Sequence, residues 1–183
     1  MPIYIYGHAV LRKKTEPVPE KYPQLKQLIC DMYETMYNAK GVGLAAPQIG
    51  KSIQLFIVDA TPMSDEDFAC NNFKEVFINP VINKYFGENI AFTEGCLSIP
   101  DIRENVERKT HISISYYDRN WNFKENIIYD GWISRIIQHE YDHLKGILFT
   151  DKIYMLRRKL LSNKLQGIAK GKFDHTYRFV LRS

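Results

Sequence analysis

The sequence predicts an α+β fold, with antiparallel β-sheets around a central helix that carries a His-Glu-x-x-His pattern, flanked by an N-terminal and a C-terminal helix. Three observations predict it. An apolar stripe of helical period stands near the start, β-branched and aromatic runs occupy residues 53–129, and helical periodicity returns from residue 132 onward. Nothing repeats internally and no low-complexity linker divides the chain, so residues 1–183 are expected to form one domain.

The first helix is expected over 23–39, where Leu25, Leu28, Ile29, Met32 and Met36 recur at spacings of three and four between Pro23 and Gly41. Strands are expected at 53–58, 76–78, 111–117 and 122–129, separated by Pro, Gly, Asn and Asp. In the third, Ile112, Ile114 and Tyr116 alternate with Ser113, Ser115 and Tyr117, which gives one apolar face. Residues 60–74 read as a polar inserted loop. A second helix is expected over 132–145, with Asp130 as its cap and Gly146 as its stop. A third is expected over 153–168, where Ile153, Leu156, Leu160, Leu161, Leu165 and Ile168 form an apolar stripe opposite the basic residues.

Composition excludes several classes. A chain of 183 residues can hide about 70% of its unfolded surface, so it needs no disulfides to build a core. Cys30, Cys70 and Cys96 show no close spacing, which favours a reducing compartment. No stretch approaches a membrane span and the start lacks a signal-peptide core, so a bacterial cytoplasmic location without membrane or DNA contact is expected. The net charge of +4 is unevenly placed. Lys152, Arg157, Arg158, Lys159, Lys164, Lys170 and Lys172 fall in a segment without acids, leaving 18 basic against 21 acidic residues elsewhere.

The strongest local signal is His139-Glu140-Tyr141-Asp142-His143. Histidines four apart share one helix face and can hold one divalent metal, with Glu140 beside the ion rather than on it. A catalytic ion of this kind takes three protein ligands and keeps a position open for water. His175 is the one histidine downstream, Cys96 lies in the turn 94–100, and Cys30 and Cys70 also carry thiols, so spacing leaves the third ligand open. Residues 41–48 add two glycines that allow close backbone approach and the Gln48 amide, a donor suited to a developing oxyanion.

The ordered set Gly41-Val42-Gly43-Leu44-Ala45-Ala46-Pro47-Gln48, Glu94-Gly95-Cys96-Leu97-Ser98 and Gln138-His139-Glu140-Tyr141-Asp142-His143 resembles the three motifs of peptide deformylase. The resemblance runs from the first helix past Gly146, and the joint occurrence of three motifs is far more specific than any one of them. It implies that Cys96, His139 and His143 bind the metal and that Glu140 is the general base and acid. It further implies that Gln48 and the Leu97 amide serve the oxyanion, that backbone of Val42, Gly43 and Gly95 holds an extended peptide, and that Arg103 anchors substrate. The implied reaction removes the N-formyl group from the formylmethionine of nascent polypeptides and releases formate. One divalent ion is implied, ferrous iron in the cell, with zinc, nickel or cobalt also suited to a thiolate and two imidazoles.

The basic stripe 152–172 reads either as a solvated helix face or as a salt-sensitive docking surface for the ribosome, and the sequence leaves both readings open. Two other readings compete with the deformylase. An HExxH peptidase would cut internal bonds, but no helical partner supplies its downstream ligand. A noncatalytic metal-containing RNA-binding module would hold its metal with four protein ligands, and here three converge beside an acid.

Overall fold

The computed structural model describes residues 1–174 and 176–182, so His175 lies outside the described residues. The strands are β1 (Ile3–Tyr4), β2 (Gly43–Ala45), β3 (Leu55–Asp59), β4 (Lys74–Cys96), β5 (Ile99–Tyr117), β6 (Phe123–Tyr129) and β7 (Phe179–Val180). The helices are α1 (Leu25–Asn38), α2 (Gly131–Leu144), α3 (Met155–Leu160) and α4 (Ser162–Ala169).

Strand β3 is buried along its whole length: Leu55 to Val58 are apolar on both faces, and Asp59 at its end accepts from Tyr37 Oη and the Thr61 N–H. Successive side chains of a strand point to opposite faces. Leu55 and Ile57 accordingly pack with Leu28, Ile29, Met32 and Met36 of α1. Phe56 and Val58 pack with Ile133, Ile136, Ile137 and Tyr141 of α2. Each such side chain removed from water contributes about 1.5–3 kcal/mol. The sheet is thus sandwiched between α1 and α2, in the order β2-β3-β4-β5-β6, every neighbouring pair antiparallel. A separate pair, β1 with β7, is parallel and covers a third cluster that includes Leu148, Phe149, Leu165 and Ile168.

Several expectations need correction. The runs at 76–78 and 111–117 are ends of a long β4/β5 hairpin, which continues through β-bulges at Ile78/Val81, Ile82/Lys84 and Phe86/Asn89. Each bulge adds an unpaired residue and interrupts the period-two pattern that marks a strand in sequence. The Gly-rich segment after α1 contains strand β2. The 60–74 loop contains two short 3-10 turns, at Thr61–Met63 and Phe68–Cys70. Asp130 precedes α2 without a side-chain cap, and Asp67 of that loop instead accepts from the Trp132 N–H at 3.4 Å. Gly146 does end α2, with φ 71° and its N–H bonded to the His143 carbonyl.

The helix expected over 153–168 is two short helices broken at Leu161, and it differs on its apolar face. Leu165 and Ile168 are buried, whereas Leu156 and Leu160 are 76% and 74% exposed. Three cations of the basic segment 152–172 are paired: Lys152 with Asp142, Arg157 with Glu104 and Arg158 with Asp151.

Candidate metal centre

The C-terminal end of β4 carries Cys96 to the inner side of α2, where His139 and His143 lie one turn apart. The ligand atoms of Cys96, His139 and His143 all lie within 4.8 Å of one another. Cys96 Sγ is 3.2 Å from His143 Nε2, and the two imidazole centroids are 5.1 Å apart. Cys70 is buried in the apolar cluster between sheet and α2, where burial raises its thiol to about 11, and Cys30 is exposed on α1. Of the three thiols left open by spacing, the fold therefore brings Cys96 to the histidines.

His139 Nδ1 is held by Glu94 Oε2 at 3.0 Å, which turns its other nitrogen toward Cys96. Such a carboxylate partner fixes ring orientation and tautomer in a metal-binding histidine. Burial works against a charge on Glu94, but hydrogen bonds from His139 and Arg108 outweigh it and hold the carboxyl well below its usual range. Burial likewise opposes a proton on His139, yet Cys96 and Glu94 together raise its pKa well above the ordinary value. The two groups that draw a proton to this ring would equally favour a metal cation in its place. Burial depresses the pKa of His143, keeping it in the neutral form that ligates, and His139 reinforces the effect. One thiolate and two oriented imidazoles therefore fit a divalent transition-metal ion.

Glu140 is buried at the same centre, and its Oε2 has no hydrogen-bond partner among the described residues. Burial raises its carboxyl to about 7, a value suited to taking and returning a proton near neutrality. Gly43 lies directly against it: a Cβ built there would stand 2.4 Å from Glu140 Oε1. Gln48 sits in a 3-10 turn, Ala46–Ile49, after β2. Its Oε1 accepts from the Ala45 N–H at 2.8 Å, so its Nε2 faces Cys96 Sγ at 3.5 Å and Ser98 Oγ at 3.3 Å. That polarity makes the Gln48 amide a donor toward the centre.

Leu97 follows Cys96 in the hairpin turn, and its carbonyl accepts from Tyr177 Oη at 2.6 Å. Gly95 lies beside the exposed Arg103, whose Cγ would be 3.4 Å from a Cβ at Gly95. Val42 gives its carbonyl to the Asp59 N–H at 2.9 Å. Because β2 is an edge strand in antiparallel pairing, the backbone groups of the next residue, Gly43, point to the open edge.

The sequence marks Glu94 and Ser98 as members of the second motif without giving either a role, and it does not mark Arg108 or Arg135. Glu94 carried a usable signal, since it stands two before Cys96 within the second motif. Arg108 and Arg135 carried none, because each comes from another element and meets Glu94 only in the folded chain.

The family model for polypeptide deformylase matches residues 1–159. A peptide deformylase of Flavobacterium psychrophilum is 52% identical over 99% of this chain and 96% of its own length. The crystal structure of the Plasmodium falciparum peptide deformylase superimposes with a TM-score of 0.82 at 36% identity, over 92% of this chain and 95% of that one. The Synechococcus elongatus peptide deformylase, solved in complex with actinonin, gives a TM-score of 0.78 at 36% identity, over 98% and 92%.

Proposed function

Because the chain belongs to the peptide deformylase family and removes the N-formyl group from nascent polypeptides, we propose that Cys96, His139 and His143 hold the metal for that hydrolysis while Glu140 moves the proton. Family membership sets aside the peptidase and the RNA-binding module. The observation that carries the assignment is the approach of those three ligand atoms to within 4.8 Å of one another, beside a buried carboxylate oxygen without a hydrogen-bond partner.

A divalent ion bound there supplies a Lewis acid and lowers the pKa of the attacking water. Glu140 takes the proton from that water and then delivers it to the nitrogen of the departing amine. Gln48 Nε2 and the Leu97 N–H donate to the formyl oxygen as it gains negative charge, the moment at which such donors lower the barrier. The peptide following the formyl group lies along the open edge of β2, held by the backbone of Gly43 with Val42 and Gly95 on either side of the cleft, and Arg103 anchors it beyond Gly95. Addition of a strand to a free edge gives backbone hydrogen bonds that do not depend on the peptide's side chains, which suits a substrate whose sequence varies after methionine.

Ferrous iron is the ion assigned to the cell, on resemblance to the family, and zinc, nickel and cobalt share the preference for a thiolate and imidazoles. The 183 residues are read as a single metallohydrolase domain, working in the cytoplasm on chains leaving the ribosome. Lys159, Lys170 and Lys172 belong to the basic C-terminal segment, and none of them has an acid partner among the described ion pairs, so they are the cations assigned to ribosomal phosphates. Replacing the three with Glu should abolish salt-sensitive co-sedimentation with ribosomes, and unchanged co-sedimentation would remove this docking surface.

The activity is tested anaerobically on protein loaded with ferrous iron or nickel, by formate release from a formyl-Met tripeptide beside its acetyl-Met control. Release from the formyl peptide alone is expected. Cys96→Ala should lose the metal, and an unchanged metal content would disqualify Cys96 as a ligand.

A further inference from the structure

The three ligands come from two elements, Cys96 from β4 and the histidines from α2, so something must hold the strand against the helix. Glu94, two residues before Cys96, is where the two elements meet. Its four hydrogen bonds are all accepted from side chains. Oε1 takes Arg108 Nε at 2.6 Å and Arg135 Nη1 at 2.7 Å. Oε2 takes Arg108 Nη2 at 2.9 Å and His139 Nδ1 at 3.0 Å. The side chains of Arg108, Arg135 and Glu94 are 1%, 8% and 6% exposed, so solvent does little to relax this arrangement.

Arg135 also reaches both strands of the hairpin. Its Nη1 donates to the Val106 carbonyl at 2.9 Å, its Nη2 donates to the Ile90 carbonyl at 2.6 Å, and its guanidinium lies 5.0 Å over the Phe92 ring. Arg108 reaches from β5 to α2, where Nη1 donates to Asp142 Oδ2 at 2.7 Å. Residues 135, 139 and 142 lie on one face of α2, at spacings of four and three. The hairpin is therefore fastened to that face on both sides of His139.

We propose that Arg135, together with Arg108, is a positioning residue that clamps Glu94 and the β4/β5 hairpin onto α2 and so sets the placement of the Cys96 thiolate against His139 and His143. The planar fork of arginine can bond a carboxylate and two carbonyls at once, whereas a lysine offers a compact charge without that geometry. Without the guanidinium, the Ile90 and Val106 carbonyls lose their donor and Glu94 keeps one arginine, so the thiolate and the imidazoles lose their common frame. Loss of a group that orients metal ligands typically weakens metal binding by about 10–100-fold.

The proposal rests on the ligand assignment above, and cobalt(II) separates the two, because a cobalt thiolate bond gives its own absorption band. The proteins are loaded with cobalt(II), the band is recorded, and metal loss to an excess of chelator is timed. For Arg135→Met, dissociation about 10–100-fold faster than in the parent is expected. Its thiolate band should be shifted or weakened, kcat should be lower and KM nearly unchanged, and Arg135→Lys should fall between. A folded Arg135→Met protein with the parent's dissociation rate and band overturns the proposal and leaves Arg135 a merely structural group. Should Arg135→Met fail to fold, Arg135→Lys decides alone: faster loss with an altered band supports the clamp, and parent behaviour overturns it. A parent protein without any thiolate band overturns the ligand assignment and the clamp with it, whereas a normal parent band with an inert Arg135 overturns the clamp alone.

Discussion

Replacing Gly43 with alanine tests how closely β2 and α2 are fitted around the reacting group. The added Cβ would stand 2.4 Å from Glu140 Oε1 and 2.8 Å from both its Cδ and its Cγ. Ordinary contact begins near 3.4 Å, so the carboxylate must retreat by roughly 1 Å. It cannot do so freely, because Glu140 is 4% exposed and its helix packs on the sheet through Ile133, Ile136 and Ile137. Moving the side chain off its rotamer costs about 0.5–1.5 kcal/mol, and overpacking of a filled interior costs about 1–3 kcal/mol. A misplacement of about 1 Å at a reacting group can lower turnover on the order of a hundredfold. Gly43→Ala is therefore expected to keep its metal, to lose about 1–3 kcal/mol of stability in urea unfolding, and to release formate at about one hundredth of the parent rate. Turnover within threefold of the parent would refute the argument that Glu140 is held by this contact.

Other outcomes follow from the same geometry. Gln48→Ala removes a donor aimed at the centre and should lower kcat by about a hundredfold or more with metal content unchanged, as read by formate release and metal analysis of one preparation. Ile137→Ala, at a fully buried position on α2, should cost about 2–5 kcal/mol in denaturant unfolding, and a loss below about 1 kcal/mol would argue against a close-packed core there. Burial opposes ionisation of Asp151, but Arg12 and the Leu148 N–H outweigh it and hold the carboxyl below its ordinary value. Its contribution is present above the unfolded pKa and is lost as pH falls through the lower folded pKa. Melting curves of the parent should therefore decline more steeply below about pH 4 than those of Asp151→Asn, and parallel curves would contradict this.

The parts of the fold that were legible in sequence are those with uninterrupted periodicity. The apolar stripe of α1 and the stop at Gly146 behaved as local rules require. The long hairpin was not legible because its bulges and the turn-forming Gly87, Glu88 and Asn89 break the alternation, although the pairing continues through them. The C-terminal stripe misled for a different reason: Leu156 and Leu160 repeat at helical spacing, but the chain breaks at Leu161 and no element among the described residues covers them. At the centre, Cys96, His139, His143, Glu140 and Gln48 were marked by motif, whereas Arg108 and Arg135 meet Glu94 through tertiary contacts that no local pattern encodes.

The central claim is that one buried carboxylate moves the proton while three other side chains hold the ion. Glu140→Ala tests it most directly, with bound metal and formate release measured on the same sample. A stoichiometric metal content with almost no release is the predicted result. Release near the parent rate, with metal in place, would contradict the role given to Glu140.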